Sequence, residues 1–442
     1  MKKDLALIVA AADGILSLQT GVGVIVNFFF EAFEETKEHI GHRGIDLYAM
    51  CPAVNKDSAD YNPAAAAMAE TACRKNNGSL RQLINLSSGN SLNEIWKGTA
   101  EHSPAAIWDS CCKALAFELS GLSGQYHKVY VLLHDTLFVN VSAWLPRGNI
   151  RLCWIPHSLG TLFEDPNQQG RIQFEKEKVI HLLRRGDKIG FISHYTRRHL
   201  QQFYDVPDDT LVSFYSGIYF DSEKYTPVET ALPFYERYGI GKDKHIIFTW
   251  GRCSDQKGID IIIEAYQGLL KENPALLHDI HLFLLCPTET TYPEYRAHIR
   301  YGLEQLPPGS FTFVDTFQSS LQYEILRYPR LKIILLCSRY ESFGLASVEA
   351  LYQRHSGAFI IYSALPTFEE VLRSAPRTIR LTTNSPACLS KVLSSTASSL
   401  VQRCPVEHPP DECPPNECPP EVRRVFSIVQ NHSVGINHLI AF

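Results

Sequence analysis

HIIFTWGRCSDQKGIDIIIEAY, His245–Tyr266, decides how this chain is read. Six residues rich in β-branched and aromatic side chains read as a buried strand, and IDIIIEAY has the spacing of an apolar helix face. Between them lies a short loop holding Arg252 and Lys257 and ending at Gly258. Two cations at a strand-to-helix junction suit a diphosphate, although solvated surface side chains would look the same in sequence. A second stretch repeats the grammar: KIILLCSRYESFGLASVEAL, Lys332–Leu351, is an apolar strand, a turn and a helix opening near Phe343 and Gly344, with Glu341 and Glu349 on either side. A helix start offers unpaired backbone N–H groups and a positive dipole end, which suit hydroxyl and phosphate oxygens. Read alone, the same segment also describes a capped amphipathic surface helix with solvated glutamates.

Working outward, apolar runs alternate with helical patterns along the chain, the signature of an α/β protein with parallel sheets. In the first half strands are expected at Leu5–Ala10, Ile45–Met50, Val129–Leu133, Arg151–Ile155, Lys188–Ile192 and Leu211–Phe214. In the second they are expected at His245–Trp250, His281–Cys286, Phe311–Val314, Lys332–Leu336 and Ala358–Ile361. The polar, Tyr- and Pro-containing stretch Asp221–Lys244 interrupts the pattern. The expected organisation is a Rossmann-like domain over 1–220, a second over 221–403, a Pro/Cys-rich linker over 404–421, and a segment over 422–442 returning to the first domain. Ligands of doubly wound sheets bind beyond the carboxyl ends of the strands, so two such domains are expected to face each other across a cleft.

Composition narrows the partners. The 442 residues are 45% hydrophobic and 20% charged, enough for packed cores. Lys plus Arg is 42 and Asp plus Glu 47, a net charge of −5, without the basic excess that nucleic-acid binding by counterion release needs. No apolar run approaches the roughly 18 residues that span a bilayer; Leu5–Ala12 is eight and is bounded by Asp4 and Asp13. Lys2 and Lys3 before it make it a faint imitation of a secretory signal, but a first strand explains it equally. Cys153, Cys286 and Cys337 lie within or at the end of apolar strand-like runs, as free thiols do, so a reduced cytoplasmic location is expected. Cys404, His408, Cys413 and Cys418 follow no standard zinc spacing and alternate with proline pairs, so an extended linker is expected there.

The pairing of GR-x4-KG (Gly251–Gly258) with E-x-FG-x4-E (Glu341–Glu349) resembles the retaining GT-B nucleotide-sugar glycosyltransferases of the large family that includes sucrose-phosphate synthase and bacterial mannosyl- and glucosyltransferases (glycosyltransferase family 4-like). The first half adds weaker likenesses: IPHSLG (Ile155–Gly160), RIQFE (Arg171–Glu175), FISH (Phe191–His194) and VLLHD (Val131–Asp135). Gly21 and Gly23 resemble the family's glycine loop, which places a helix N-terminus near the donor phosphate; lacking a third glycine, they are not a dinucleotide fingerprint.

The resemblance implies a hexosyltransferase moving a sugar from a nucleotide-diphosphate donor such as a UDP-, GDP- or ADP-hexose to a small polar acceptor, with net retention. Arg252 and Lys257 would hold the diphosphate, and backbone N–H groups around Phe343, Gly344 and Leu345 would lie beside phosphate and sugar. Glu341 would orient sugar hydroxyls and Glu349 accept from the ribose. His157 would sit by the transferred sugar, with His134 and Asp135 facing the acceptor; strand-end histidines held by ordinary hydrogen bonds are the plainer reading. No cofactor is expected, and no metal, since no Asp-x-Asp pair occurs in the chain. The family's Gly-Gly after the second glutamate is Ala364-Leu365 here, which puts backbone approach at that loop in question. A sugar phosphorylase of similar architecture and a non-catalytic nucleotide-sugar binder stay open as alternatives. The donor base, the sugar, the acceptor and the oligomeric state are not readable from the sequence.

Overall fold

The computed structural model describes residues 2–40, 42, 44–162, 168–219, 232–288, 293–316, 318–355, 357–401 and 427–441. The expected linker over 404–421, with Cys404, His408, Cys413 and Cys418, lies outside the described residues, as do residues 221–231 of the boundary stretch expected over 221–244. The chain divides into two compact units, Met1–Phe220 with Glu421–Phe442, and Asp221–Pro420.

The first unit is built on seven strands: β1 Lys3–Ala10, β2 Ile45–Pro52, β3 Leu80–Leu83, β4 Tyr126–His134, β5 Ile150–Ile155, β6 Lys188–Phe191 and β7 Leu211–Ser213. All pairs are parallel, in the order β3-β2-β1-β4-β5-β6-β7. β1 and β2 are buried along almost their whole length, because helices cover both faces of a parallel sheet. Helix α1, Gly21–Glu31, follows β1, and α2, Gln169–Arg185, follows β5.

The second unit has six parallel strands: β8 His245–Trp250, β9 Ile280–Leu285, β10 Phe311–Val314, β11 Leu331–Leu336, β12 Phe359–Tyr362 and β13 Thr378–Arg380. Their order, β10-β9-β8-β11-β12-β13, repeats the winding of the first sheet. Helix α3, Ile259–Glu272, lays Ile262, Tyr266 and Leu269 on Ile247, Leu282 and Leu335 of the sheet. Each such side chain contributes roughly 1.5 to 3 kcal/mol on leaving water. Helix α4, Leu345–Gln353, follows β11.

Two strands depart from the sequence reading, which gave six and five. β3 (LRQL) and β13 (TIR) are short edge strands. Neither carries the apolar run that marks a strand buried on both faces.

The last described helix, α5, Ile428–Ala441, packs on the first unit. A one-residue parallel bridge from Ile218 to Ser427 leads into it. Tyr130 donates its hydroxyl to the Ile440 carbonyl at 3.2 Å, and His432 packs between the rings of Phe29 and Phe214 at 5.4 and 5.8 Å.

Candidate active site

In both sheets the winding reverses at one place, between β1 and β4 and between β8 and β11. Loops leaving the carboxyl ends of those strands are where such folds bind ligands. Most of the sequence-predicted residues lie on these loops or in the first turns of the helices after them; His134 ends β4, and His157 follows the neighbouring strand β5.

In the second unit, β8 ends at Trp250 and the chain runs through Arg252 and a single tight turn, Asp255–Lys257, into α3. Gly258 makes the junction: its φ is +64°, and a Cβ there would stand 2.2 Å from the Cys337 carbonyl oxygen. Only glycine lets this loop touch the one after β11. That contact brings the two motifs together across 84 positions of sequence. The Lys257 ammonium pairs with Glu341 Oε1, which also accepts from the Ser338 hydroxyl at 2.8 Å. The pair is only partly shielded, with 19% of the Lys257 side chain and 9% of that of Glu341 accessible. Such a lysine can exchange its carboxylate for another anion.

Arg252 is exposed and donates to Gln256 Oε1 at 3.3 Å. Gly344, in the left-handed region at φ +78°, caps α4, and Leu345 begins it. The Phe343 ring is buried at 4% exposure. Glu349, one turn further along α4, accepts at Oε2 from Trp250 Nε1 and from Gln322 Nε2, both at 3.1 Å. Burial pushes its carboxyl above the ordinary range despite these bonds.

At the altered glycine pair, Leu365 is extended at φ −86°, and its N–H turns back to the Ser363 carbonyl at 2.7 Å. That amide is engaged within its own loop.

In the first unit, Gly21 and Gly23 lie inside the first turn of α1, not in a loop before it. Asp13 explains Gly23. Its carboxylate is 5% exposed and accepts from the backbone N–H groups of Gly14, Gln19 and Thr20 and from the hydroxyls of Ser17 and Thr20. A Cβ on Gly23 would come within 2.4 Å of Asp13 Oδ2. A carboxylate therefore already occupies the approach to this turn of the helix, while Gly21 has open space around it.

His134 and His157 are brought into direct contact. His134 Nδ1 and His157 Nε2 are 2.8 Å apart, the rings lie at 16°, and the residues are 1% and 4% exposed. Burial lowers the pKa of both, that of His157 to about 3, so the pair is neutral at pH 7 and shares one N–H. His134 Nε2 and His157 Nδ1 have no hydrogen-bond partner among the described residues.

Asp135, next in the chain, has φ +66° and ψ 179°, a region that side-chain-bearing residues rarely enter. It is over-determined: its N–H bonds the Ile155 carbonyl, its carbonyl accepts from Trp154 Nε1, and its carboxylate accepts from the Thr136 N–H. Arg171 lies 3.5 Å from that carboxylate and bonds Glu175, Thr136 and Ser158. Glu175, fully buried, also accepts from the Gly160 N–H and the Tyr204 hydroxyl.

Asp13, Glu175, Arg339 and Asp260 are the site-shaping residues that sequence reading did not single out. For Glu175, Arg339 and Asp260 the signal is contact between segments distant in sequence, which no local pattern contains; Asp13 bonds within its own loop, over seven residues.

With this geometry in place, the comparisons with known proteins can be stated. Residues 234–394 match the family model of glycosyl transferases group 1. No curated protein sequence matches the chain. Among solved structures, the chain is similar to a sucrose-phosphate synthase from Thermosynechococcus elongatus, at 15% identity over 100% of both chains and a TM-score of 0.66. It is similar to the N-terminal domain of Candida albicans trehalose-6-phosphate phosphatase, at 14% identity over 99% of this chain and 96% of that one, TM-score 0.66. It is also similar to an alpha,alpha-trehalose-phosphate synthase (UDP-forming) from Burkholderia vietnamiensis, at 10% identity over 100% and 95%, TM-score 0.64. Identities this low show the fold, which is GT-B: two Rossmann-like units. The group 1 match adds the class. The second unit carries a glycosyl transferases group 1 domain over residues 234–394, and the chain is a glycosyltransferase with the GT-B fold.

Proposed function

We propose that the chain moves a hexosyl group from a nucleotide-diphosphate sugar to a hydroxyl of a small polar acceptor, with retention and without a metal. The observation that carries this reading is the meeting of Lys257 with Glu341, one from each motif, beside the start of α4. In the free chain the two charges satisfy each other. On donor binding Lys257 turns to the diphosphate, joined by Arg252, and Glu341 is released to accept from sugar hydroxyls. The positive charge of Lys257 and Arg252 beside the leaving diphosphate stabilises the departing oxygen most when the bond from it to the sugar is nearly broken, which lowers the barrier. The leaving phosphate oxygen takes the proton of the acceptor hydroxyl, so no protein nucleophile is used. Glu349, held by Trp250 and Gln322, meets the ribose; His157 lies by the sugar, and His134 and Asp135 face the acceptor.

Two structural neighbours name UDP in their titles, one of them an E. coli protein bound with UDP-2-fluoro glucose, which supports UDP-glucose as the first donor to try. Another title concerns a trehalose-6-phosphate synthase and transfer with retention, which supports retention here.

Calorimetric titration of nucleotide sugars in the presence of a chelator, followed by mass spectrometry of products from a mixed pool of small polyols and sugar phosphates, tests the proposal. A bound donor and a product one hexose heavier are expected, with the α-linkage of the donor kept. Inversion, or turnover that requires a divalent cation, would contradict the retaining, metal-free reading. Product formation from inorganic phosphate without nucleotide would make it a phosphorylase.

A further inference from the structure

Arg339 stands two residues before Glu341, on the loop that follows β11, yet its bonds go to the other loop. Its guanidinium forms a two-pronged pair with Asp260, at 3.0 and 2.5 Å, in the first turn of α3. It also donates to the Asp255 carbonyl at 2.6 Å and lies 3.1 Å from the Asp255 carboxylate. The backbone closes the same seam: the Arg339 N–H donates to the Gln256 carbonyl at 2.8 Å, and Gln256 Nε2 donates to the Tyr340 carbonyl at 3.2 Å. Gln256 at the same time accepts from Arg252. Burial pushes the Asp260 carboxyl up, but hydrogen bonds from Arg339 and Tyr295 outweigh it and hold it below the ordinary range.

The Arg339 contacts and the Gln256–Tyr340 bond all join the turn that carries Lys257, or the helix start after it, to the loop that carries Glu341. We infer that Arg339 is a positioning residue for the donor site: it clamps the two loops together and so fixes where the Lys257 ammonium and, through Gln256, the Arg252 guanidinium stand when a diphosphate arrives. Only a planar fork satisfies both oxygens of Asp260 and the Asp255 carbonyl together; a lysine, with one ammonium, would hold part of the clamp. The inference rests on the donor reading above, and it explains a cation that touches neither Glu341 nor any residue assigned to the sugar.

The test uses the full chain with R339Q, R339K, K257A and the R339Q/K257A double variant, with UDP as the probe. Because the Arg339 side chain is 33% exposed, R339Q is expected to fold, and thermal unfolding checks this. Displacing Lys257 from a charge-assisted contact with phosphate should weaken UDP binding about tenfold in R339Q, with partial recovery in R339K. In the K257A background the same change should add less than about twofold, since the two act through one contact. The 15N ammonium signal of Lys257 should move in R339Q even without ligand. Wild-type UDP affinity in a folded R339Q, or a tenfold effect that persists in K257A, would overturn the inference. Should the wild-type chain bind no nucleoside diphosphate at all, the donor reading fails, and the Lys257 signal alone decides the clamp: displaced in R339Q it stands, unmoved it falls.

Discussion

The two units wind their sheets in the same order but use charge in opposite ways. In the first, ionised groups are sealed inside: Asp13 is saturated by backbone and hydroxyl donors, and Arg171 and Glu175 tie the ends of β4 and β5 to α2. In the second, the charges at the strand ends stay within reach of water, as Lys257–Glu341 and Arg339–Asp260. A buried ion pair is costly to break and cannot change partners, so it fixes shape. A pair still in reach of water loses less by exchanging one anion for another. One unit holds its loops in a set form, and the other keeps cations ready for a ligand.

The sharpest way to break this contrast is to remove one carboxylate from each unit. Glu175→Ala takes from buried Arg171 the nearer of its two carboxylates, leaving Asp135 at 3.5 Å, and frees three further donors, so a loss of about 3 kcal/mol in denaturant unfolding of the first unit is expected. Asp260→Asn, which weakens the Arg339 pair, should cost at most about 1 kcal/mol, as partly exposed pairs do. Equal losses would show that the two units do not differ in this respect.

A glycine pair sharpens it further. Gly258→Ala forces a side chain into the left-handed region against the Cys337 carbonyl, and about 2 kcal/mol or more of destabilisation of the second unit is expected. Gly21→Ala, with nothing within 4 Å, should leave stability unchanged and alter only ligand binding, read by UDP titration.

Acid separates the units by their histidines. In the first, burial lowers His157 to about 3 and His199 and His432 to about 4, and holds His134 well below its ordinary value. In the second, His281 is the only one among the described residues pushed as far, to about 4. The unfolded chain takes up these protons near pH 6.5 and the folded one does not, so stability is full above pH 6.5 and declines as pH falls towards 4. Each histidine contributes up to about 1.4 kcal/mol per pH unit over that interval. The first unit should therefore unfold at higher pH. Indole N–H signals report it directly: Trp154 and Trp108 lie in the first unit and Trp250 in the second. Loss of Trp250 before Trp154 would contradict this.

What the sequence revealed follows the same division. The central strands were legible because they are buried on both faces and so run apolar without interruption. The edges β3 and β13 were not, since half their surface is wet and their letters are polar. In the second unit the residues proposed for the donor were legible as motifs, since Arg252, Lys257, Glu341 and Glu349 each sit at a fixed step from a strand end. Arg339 was passed over because its partners lie on another loop. In the first unit His134 and His157 were visible singly, but their shared proton depends on β4 and β5 lying side by side, with His134 paired to Ile155 in register. Asp13 looked like the polar end of a strand, and only the fold turns it into the acceptor around which the next eight residues wrap.

The central claim, that Lys257 grips a diphosphate in place of a metal, is tested most directly by titrating UDP into the wild-type chain and into K257A, both in excess chelator. Wild-type binding that survives the chelator and weakens about tenfold or more in a folded K257A is the predicted result. Equal affinity in the two proteins, or binding abolished in the wild type by the chelator alone, would contradict it.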